Sequence, residues 1–464
     1  MPQGSASDTA RPLRRNGDAS LTGPIPMIPA ARLSAAIEVL RDIDTRRRPA
    51  SDALKDWGLA HRFAGSGDRA AIAGLVYDVL RRKASSAWLM GGEGARAVLL
   101  GMLRLERGLS HDEIVRLCSG ERFAPAPLSE DESARLETGT LDGAPPHVAG
   151  DYPEWLTPSL ETVFGESVVA EMAALARRAP LDIRINTLKG SRELVQAELG
   201  HLSPTPTPYS PLGLRIVHSP GERAPSVQSD PVFIRGEIEI QDEGSQLAAL
   251  IAHASQRDQV IDLCAGGGGK TLALAAAMDN HGQIYATDTD QRRLAPIHAR
   301  LERAGVRNVQ VRTPRARVDA VQDLDGKADL VLVDAPCTGT GTWRRNPDSK
   351  WRVRPGSLQA RLKEQASVLD RAVELVRPGG RIAYVTCSVL PDENDGALDS
   401  LLARCSGLAV VDAREMLSAA GLSTLAGAVR FTKYGLQMSP LRTATDGFYV
   451  AMINATAEGW PWAR

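Results

Sequence analysis

The chain has 464 residues, 43% of them hydrophobic, with five cysteines and a formal net charge of −1. That length exceeds one compact core and predicts two or three domains. The near-zero charge excludes a generic nucleic-acid coat, and the absence of roughly 20 consecutive apolar residues excludes a membrane-spanning helix. An odd cysteine count without C-x-x-C pairing argues against a disulfide framework and a metal site, and makes the cytoplasm the default compartment.

Residues 1–28 carry Arg11, Arg14 and Arg15 among Pro and Ser, lack the apolar run of a signal peptide, and read as a disordered arm. Apolar residues then recur at helical spacing in 31–40, 70–80 and 97–105, which predicts an all-α domain over 29–120. The tract 121–150 holds Pro125, Pro127, Pro145 and Pro146 among acids and glycines and reads as a linker. A small α+β region is expected over 151–230, with helix near 158–178 and a strand at 181–186.

From 231 to 464 short apolar runs (260–265, 283–288, 309–312, 329–334, 381–386) alternate with helical patterns. Such alternation predicts an α/β, Rossmann-like doubly wound sheet, whose ligands bind beyond the carboxyl ends of the strands. The residues after those runs are Cys264 to Lys270, Asp288, Asp334 to Thr338, and Cys387.

The first of these segments, Cys264-Ala265-Gly266-Gly267-Gly268-Gly269-Lys270-Thr271, is a glycine-rich turn from strand into helix. It fails the P-loop pattern because Cys264 stands where the first glycine belongs, and it fails the dinucleotide fingerprint at Thr271. It suits the methionine part of S-adenosylmethionine. Asp288, closing the second strand, has the place of an acid that accepts from ribose hydroxyls, though a helix N-cap explains it equally. Lys270 is open between the cofactor and a base in the site.

Asp334-Ala335-Pro336-Cys337 resembles the catalytic turn of DNA cytosine methyltransferases, and Thr386-Cys387-Ser388 is a second cysteine motif. Either thiol alone reads as a buried small hydrophobe. Together they suit cytosine carbon 5, which becomes nucleophilic only after a thiolate adds at carbon 6 and which must later lose a proton. Asp334, directed toward ring nitrogen 3, would balance charge. On spacing and chemistry, either cysteine could attack.

Two basic clusters stand out. Residues 291–317 carry eight arginines against Glu302, and read as a solvated helix face or an RNA-facing one. Residues 341–363 follow the Pro-Cys motif directly, and Arg344, Arg345 and Lys350 are expected to meet RNA phosphate.

These motifs together resemble the Sun/RsmB family of RNA 5-methylcytosine methyltransferases, over residues 30–453. The carrying segments are 262–271, 334–341 and 386–394, with support from Arg184-Ile185-Asn186-Thr187, 241–246, Ser439-Pro440 and Asp446-Gly447-Phe448. The resemblance implies that Cys387 attacks and Cys337 releases, that S-adenosylmethionine is the cofactor, and that Arg184 and Asn186 belong to an RNA-recognition region. Gly67-Asp68-Arg69-Ala70 and 75–82 resemble a NusB-like RNA-binding domain, which implies a small-subunit ribosomal RNA substrate. A monomer without metal or membrane partner is expected.

Two departures are visible. Gly266-Gly267 replace the family's Ala-Pro, which predicts a looser loop with a larger ordering cost. The third strand ends in Arg312-Thr313-Pro314-Arg315, so no acid before Asp319 is available for adenine. Two rival readings follow: a DNA cytosine methyltransferase using Cys337, which leaves the Thr-Cys-Ser motif unexplained, and a non-catalytic RNA-binding scaffold, which two intact cysteine motifs oppose.

Overall fold

The computed structural model describes residues 26–217, 225–314 and 319–456. The arm expected at 1–28 lies outside these except for its last three residues.

Helices Pro29–Arg46, Ala50–Ala60, Ser66–Arg81, Lys83–Met90, Ala95–Leu105, His111–Leu117 and Glu130–Thr138 enclose one apolar core. In helix Ser66–Arg81, Ile72, Val76 and Val79 fall on one face by the 3.6-residue period and are fully buried. The reading of 121–150 as a linker is corrected here. Ser129 and Glu132 close a reciprocal capping box at the start of Glu130–Thr138, and Leu136 of that helix packs into the helical core. The prolines punctuate ordered chain rather than a tether.

Helices Thr157–Phe164 and Val168–Ala176 lead into a four-stranded antiparallel sheet of β1 (Leu181–Ile185), β2 (Thr205–Pro206), β3 (Gly213–Ile216) and β4 (Ile238–Ile240), in the order β2-β3-β1-β4. The expected division at 230/231 is also corrected. β4 pairs with β1 through Ile183↔Ile240 and Ile185↔Ile238, and Val232 and Ile238 belong to this sheet's core.

The large sheet comprises β5 (Gln259–Asp262), β6 (Gln283–Ala286), β7 (Val309–Val311), β8 (Ala328–Asp334), β9 (Val376–Thr386), β10 (Leu408–Val410), β11 (Arg430–Phe431), β12 (Leu436–Gln437) and β13 (Tyr449–Ala455). Its order is β11-β12-β13-β9-β8-β5-β6-β7, with β10 on β13. Strands β5 to β9 pair in parallel and β13 joins β9 antiparallel. Parallel strands need cover on both faces. Along β8, Leu330 and Leu332 enter one core while Val331 and Val333 enter the other. This is the Rossmann-like α/β architecture that the alternating pattern predicts. β5 and β8 are neighbours although two strands intervene in sequence, so the order reverses there and leaves a crevice at their carboxyl ends.

Candidate active site

The glycine turn leaves β5 at that crevice. Gly268 has φ +82°, and a Cβ there would lie 2.5 Å from Cγ1 of Ile297, so a side chain is excluded twice over. The looseness expected of four glycines is not what forms. The Gly266 N–H donates to Oδ2 of Asp288 (2.9 Å), Arg300 donates to the Gly267 carbonyl (2.6 Å), and Arg184 donates to the Gly269 carbonyl (2.8 Å). Arg300 and Arg303 also share Glu239 of β4, so the small sheet clamps the turn. The loop is ordered by partners that lie far from it in sequence.

Lys270, the second residue of helix Gly269–Ala277, is buried, with its Nζ 2.7 Å from Oδ2 of Asp334 at the end of β8 and 5.1 Å from the Phe448 ring centroid. Asp262 at the end of β5 accepts from the Thr271 hydroxyl (2.6 Å) through Oδ2, while its buried Oδ1 has no partner among the described residues. Burial raises its carboxyl to about 7, with help from the Asp334 and Asp288 charges and against the Thr271 hydrogen bond. The Cys264 thiol is pushed well up, first by burial and then by the same three carboxylates.

Cys337 and Cys387 come from loops after β8 and β9, and their sulfurs are 3.3 Å apart. Hydrogen bonding to Cys387, then burial, pushes the Cys337 thiol well above its ordinary range. One buried carboxylate holds both loops. Glu393 accepts from the Thr338 N–H (2.8 Å), the Thr338 hydroxyl (2.5 Å), the Ser388 hydroxyl (2.5 Å) and Gln365 (3.2 Å). The Gly341 N–H donates to the Cys387 carbonyl (3.0 Å), and a Cβ at Gly341 would lie 1.9 Å from the Gly447 carbonyl oxygen. That clash explains the second glycine of the Pro-Cys motif and brings 446–448 to the site.

Five residues expected to meet RNA are otherwise engaged. Arg344 is 4% exposed and paired with Asp446 and with Asp242 (2.7 Å), and Arg345 pairs with the same two carboxylates at 2.7 Å each. Lys350 is 2% exposed and donates to the Arg81 carbonyl (3.0 Å) at the end of helix Ser66–Arg81. Burial lowers its ammonium to about 7. Buried Arg184 serves the glycine turn, and Asn186 donates to the carbonyls of Gly236 and Ala304 (2.8 Å each). Arg184, Arg344 and Lys350, so enclosed, rivet parts of the protein together, whereas the side chain of Arg345 keeps 29% of its surface exposed.

Local pattern assigns no role to Glu393, although it lies in a motif segment, nor to Thr338, Gln365 or Arg300. Arg312, at the third strand's end, pairs with Asp323 (3.0 Å), and Asp319 pairs with Arg371 (2.6 Å). Among the described residues there is no cluster of three or more metal-ligating side chains and no helix long and apolar enough to cross a membrane.

A parallel sheet with a glycine turn at its reversal point and acids at the neighbouring strand ends defines a Rossmann-like methyltransferase of the S-adenosylmethionine-dependent type. The family model described as 16S rRNA methyltransferase RsmB/F matches residues 249–454, and that of the RsmF/B-like ferredoxin-like domain matches 152–220. The probable ribosomal RNA small subunit methyltransferase B of Synechocystis sp. (strain ATCC 27184 / PCC 6803 / Kazusa) is 30% identical over 405 residues, covering 81% of this chain and 89% of that protein. The chain belongs to the RsmB/F family and is an RNA methyltransferase. Its fold resembles the crystal structure of PH0851 (TM-score 0.68, 23% identity, 92% of this chain and 99% of that one). It also resembles NSun6 from Pyrococcus horikoshii with SFG (TM-score 0.56, 23% identity, 65% and 98%).

Proposed function

We propose that the protein methylates carbon 5 of a cytosine in small-subunit ribosomal RNA, using S-adenosylmethionine, with Cys387 as nucleophile and Cys337 serving release. The observation that carries this reading is the 3.3 Å approach of two thiols from separate strand-end loops, at the same sheet edge as the Lys270–Asp334 pair. Methyl transfer to oxygen or nitrogen has no use for paired thiols. Carbon 5 of cytosine does, because it must be activated through carbon 6 and then relieved of a proton.

The glycine turn fits the cofactor. A Cβ at Gly266 would meet nothing nearer than 3.6 Å, Asp262 keeps an unpartnered buried oxygen, and Asp288 retains lone pairs beyond those taken by Gly266 and Asp290. Cys264, Ala265, Gly266 to Gly269, Lys270 and Asp288 would hold it, and when bound it supplies an electrophilic methyl group.

The Cys387 thiolate adds to carbon 6 of a base that has left its stack, which single-stranded or loop RNA allows most cheaply. The proton that Cys387 gives up passes through the Asp334 carboxylate, oriented by Lys270, to ring nitrogen 3, where it neutralises the charge that the ring acquires; on release it leaves by the same carboxylate to solvent. Because the Cys337 thiol holds its proton strongly, it can donate toward the neighbouring sulfur. After methylation the bond between carbon 6 and the Cys387 sulfur breaks. Cys337 passes its proton to that sulfur and takes the proton leaving carbon 5, so both thiols are restored.

The test is a pair of variants. Cys387→Ala abolishes methylation of in vitro small-subunit rRNA, and Cys337→Ala accumulates a protein–RNA adduct that survives denaturing electrophoresis. An active Cys387→Ala beside an inactive, adduct-free Cys337→Ala would reverse the roles. Bisulfite mapping of ribosomal RNA with and without the gene identifies the cytosine.

A further inference from the structure

Three cavities run in series from the Pro-Cys loop along the seam between the helical part and the rest of the molecule. The first, about 380 Å³, opens at Thr338 and Gly339, immediately after Cys337, and shares Tyr77 and Arg345 with the second. The second, about 1140 Å³, lies over helix Ser66–Arg81 and shares Arg178 and Arg344 with a third of about 360 Å³. Shared lining residues put the three cavities side by side along this seam, with the near end at the two residues that follow Cys337.

The lining is selective. Among the described residues, nine arginines line the three cavities, against Glu106 and Asp348 as the only acids. Carboxylates beneath the surface neutralise part of this charge, but not all of it. Arg81, Arg107 and Arg178 converge on the single buried carboxylate of Asp78, at 3.8, 2.5 and 2.9 Å. Among the described residues two positive charges are therefore left over, and the side chains of Arg107 and Arg178 stay 22% and 23% exposed. The floor between them is made of small residues of helix Ser66–Arg81, including Ala70, Ala71 and Gly74, which leaves the width open. Half-buried Tyr77 stands where the first two cavities meet, an aromatic ring available to a base.

We infer that this groove carries the single-stranded RNA that flanks the target cytosine, from the Pro-Cys loop past Tyr77 to the arginines around Asp78. The inference rests on the proposed RNA substrate and adds its path. Phosphates gain from the uncompensated guanidinium charge, and a base gains from stacking on Tyr77 without sequence readout.

Gly74→Glu tests it without removing any ion pair. A Cβ at Gly74 would meet Nη2 of Arg178 at 3.6 Å and Nη2 of Arg107 at 3.7 Å, both ordinary contacts, so a carboxylate fits between the two arginines. The expected result is a roughly tenfold rise in KM for small-subunit rRNA and a shallower salt dependence, with kcat and Tm unchanged and Gly74→Ala like the parent. An unchanged KM in folded Gly74→Glu overturns the inference. Should that variant lose stability, the parent protein decides. 4-Thiouridine-substituted small-subunit rRNA, irradiated and digested, labels the tryptic peptide spanning 70–81 if the groove is the path. Labels elsewhere with none there refute it. Crosslinking needs no methyl transfer, so a labelled groove without methylation counts against the proposed reaction alone, and methylation with an unlabelled groove counts against the groove alone.

Discussion

The basic run around Arg344 and the groove beside helix Ser66–Arg81 invert what local charge density suggests. Arg344, Arg345 and Lys350 lie close together in sequence, yet they are spent on Asp242, Asp446 and a helix carboxyl end. Arg107 and Arg178, 71 positions apart, supply uncompensated charge to the solvent side because they share one acid. The lesson is that a cation's availability depends on how many carboxylates reach it, which the fold decides.

The contrast is broken most directly at its buried side. Arg344→Ala leaves Asp242 and Asp446 facing each other in the interior with Arg345 alone, and is expected to cost about 3–5 kcal/mol in chemical denaturation. Survival of full stability would return Arg344 to the surface-cation class.

A pH experiment sharpens the status of Lys350. Its folded pKa of about 7 lies below the ordinary 10.5, so between these values the unfolded chain binds the extra proton and stability rises with pH. Lys350→Met removes that contribution. Across pH 7 to 10.5 its stability should climb less steeply than the parent's, by up to about 1.4 kcal/mol per pH unit. Parallel curves would show that Lys350 keeps its charge in the fold.

A smaller effect is expected where the other arginine run touches the cofactor turn. Arg300→Ala deletes the donor to the Gly267 carbonyl and one partner of Glu239. S-adenosylmethionine affinity by calorimetry should fall roughly tenfold, about 1.4 kcal/mol, while RNA affinity is unchanged. Exposed Arg292, in the same run, sets the floor: its alanine variant should stay within about 0.5 kcal/mol of the parent.

Much of the architecture was legible because it rests on local pattern. The apolar runs before Cys264, Asp288, Asp334 and Cys387 became the strands that carry these residues to one edge. Proline content at 121–150 outweighed Ser129 and Glu132, whose spacing was the available helix signal. The domain division at 230/231 cut β4 from its sheet because three residues carry no record of which partner they pair with. Arg184 and Asn186 were misread for a related reason, since Gly269, Gly236 and Ala304, whose carbonyls they bind, lie at least 50 positions away. Glu393 was visible as a letter in a motif, but four converging donors are a property of folded loops.

The pairing of β13 with β9, which sets Tyr449 opposite Thr386, has a consequence for biosynthesis. The strand that delivers Cys387 has its outer edge covered by a segment made after it. A nascent chain that already contains both thiols still lacks the neighbour that braces β9, and it lacks Gly447, against which Gly341 packs. Completion of the site is thereby deferred until β13 has been made, and a chain cut short before 449 carries both thiols without the strand that braces them.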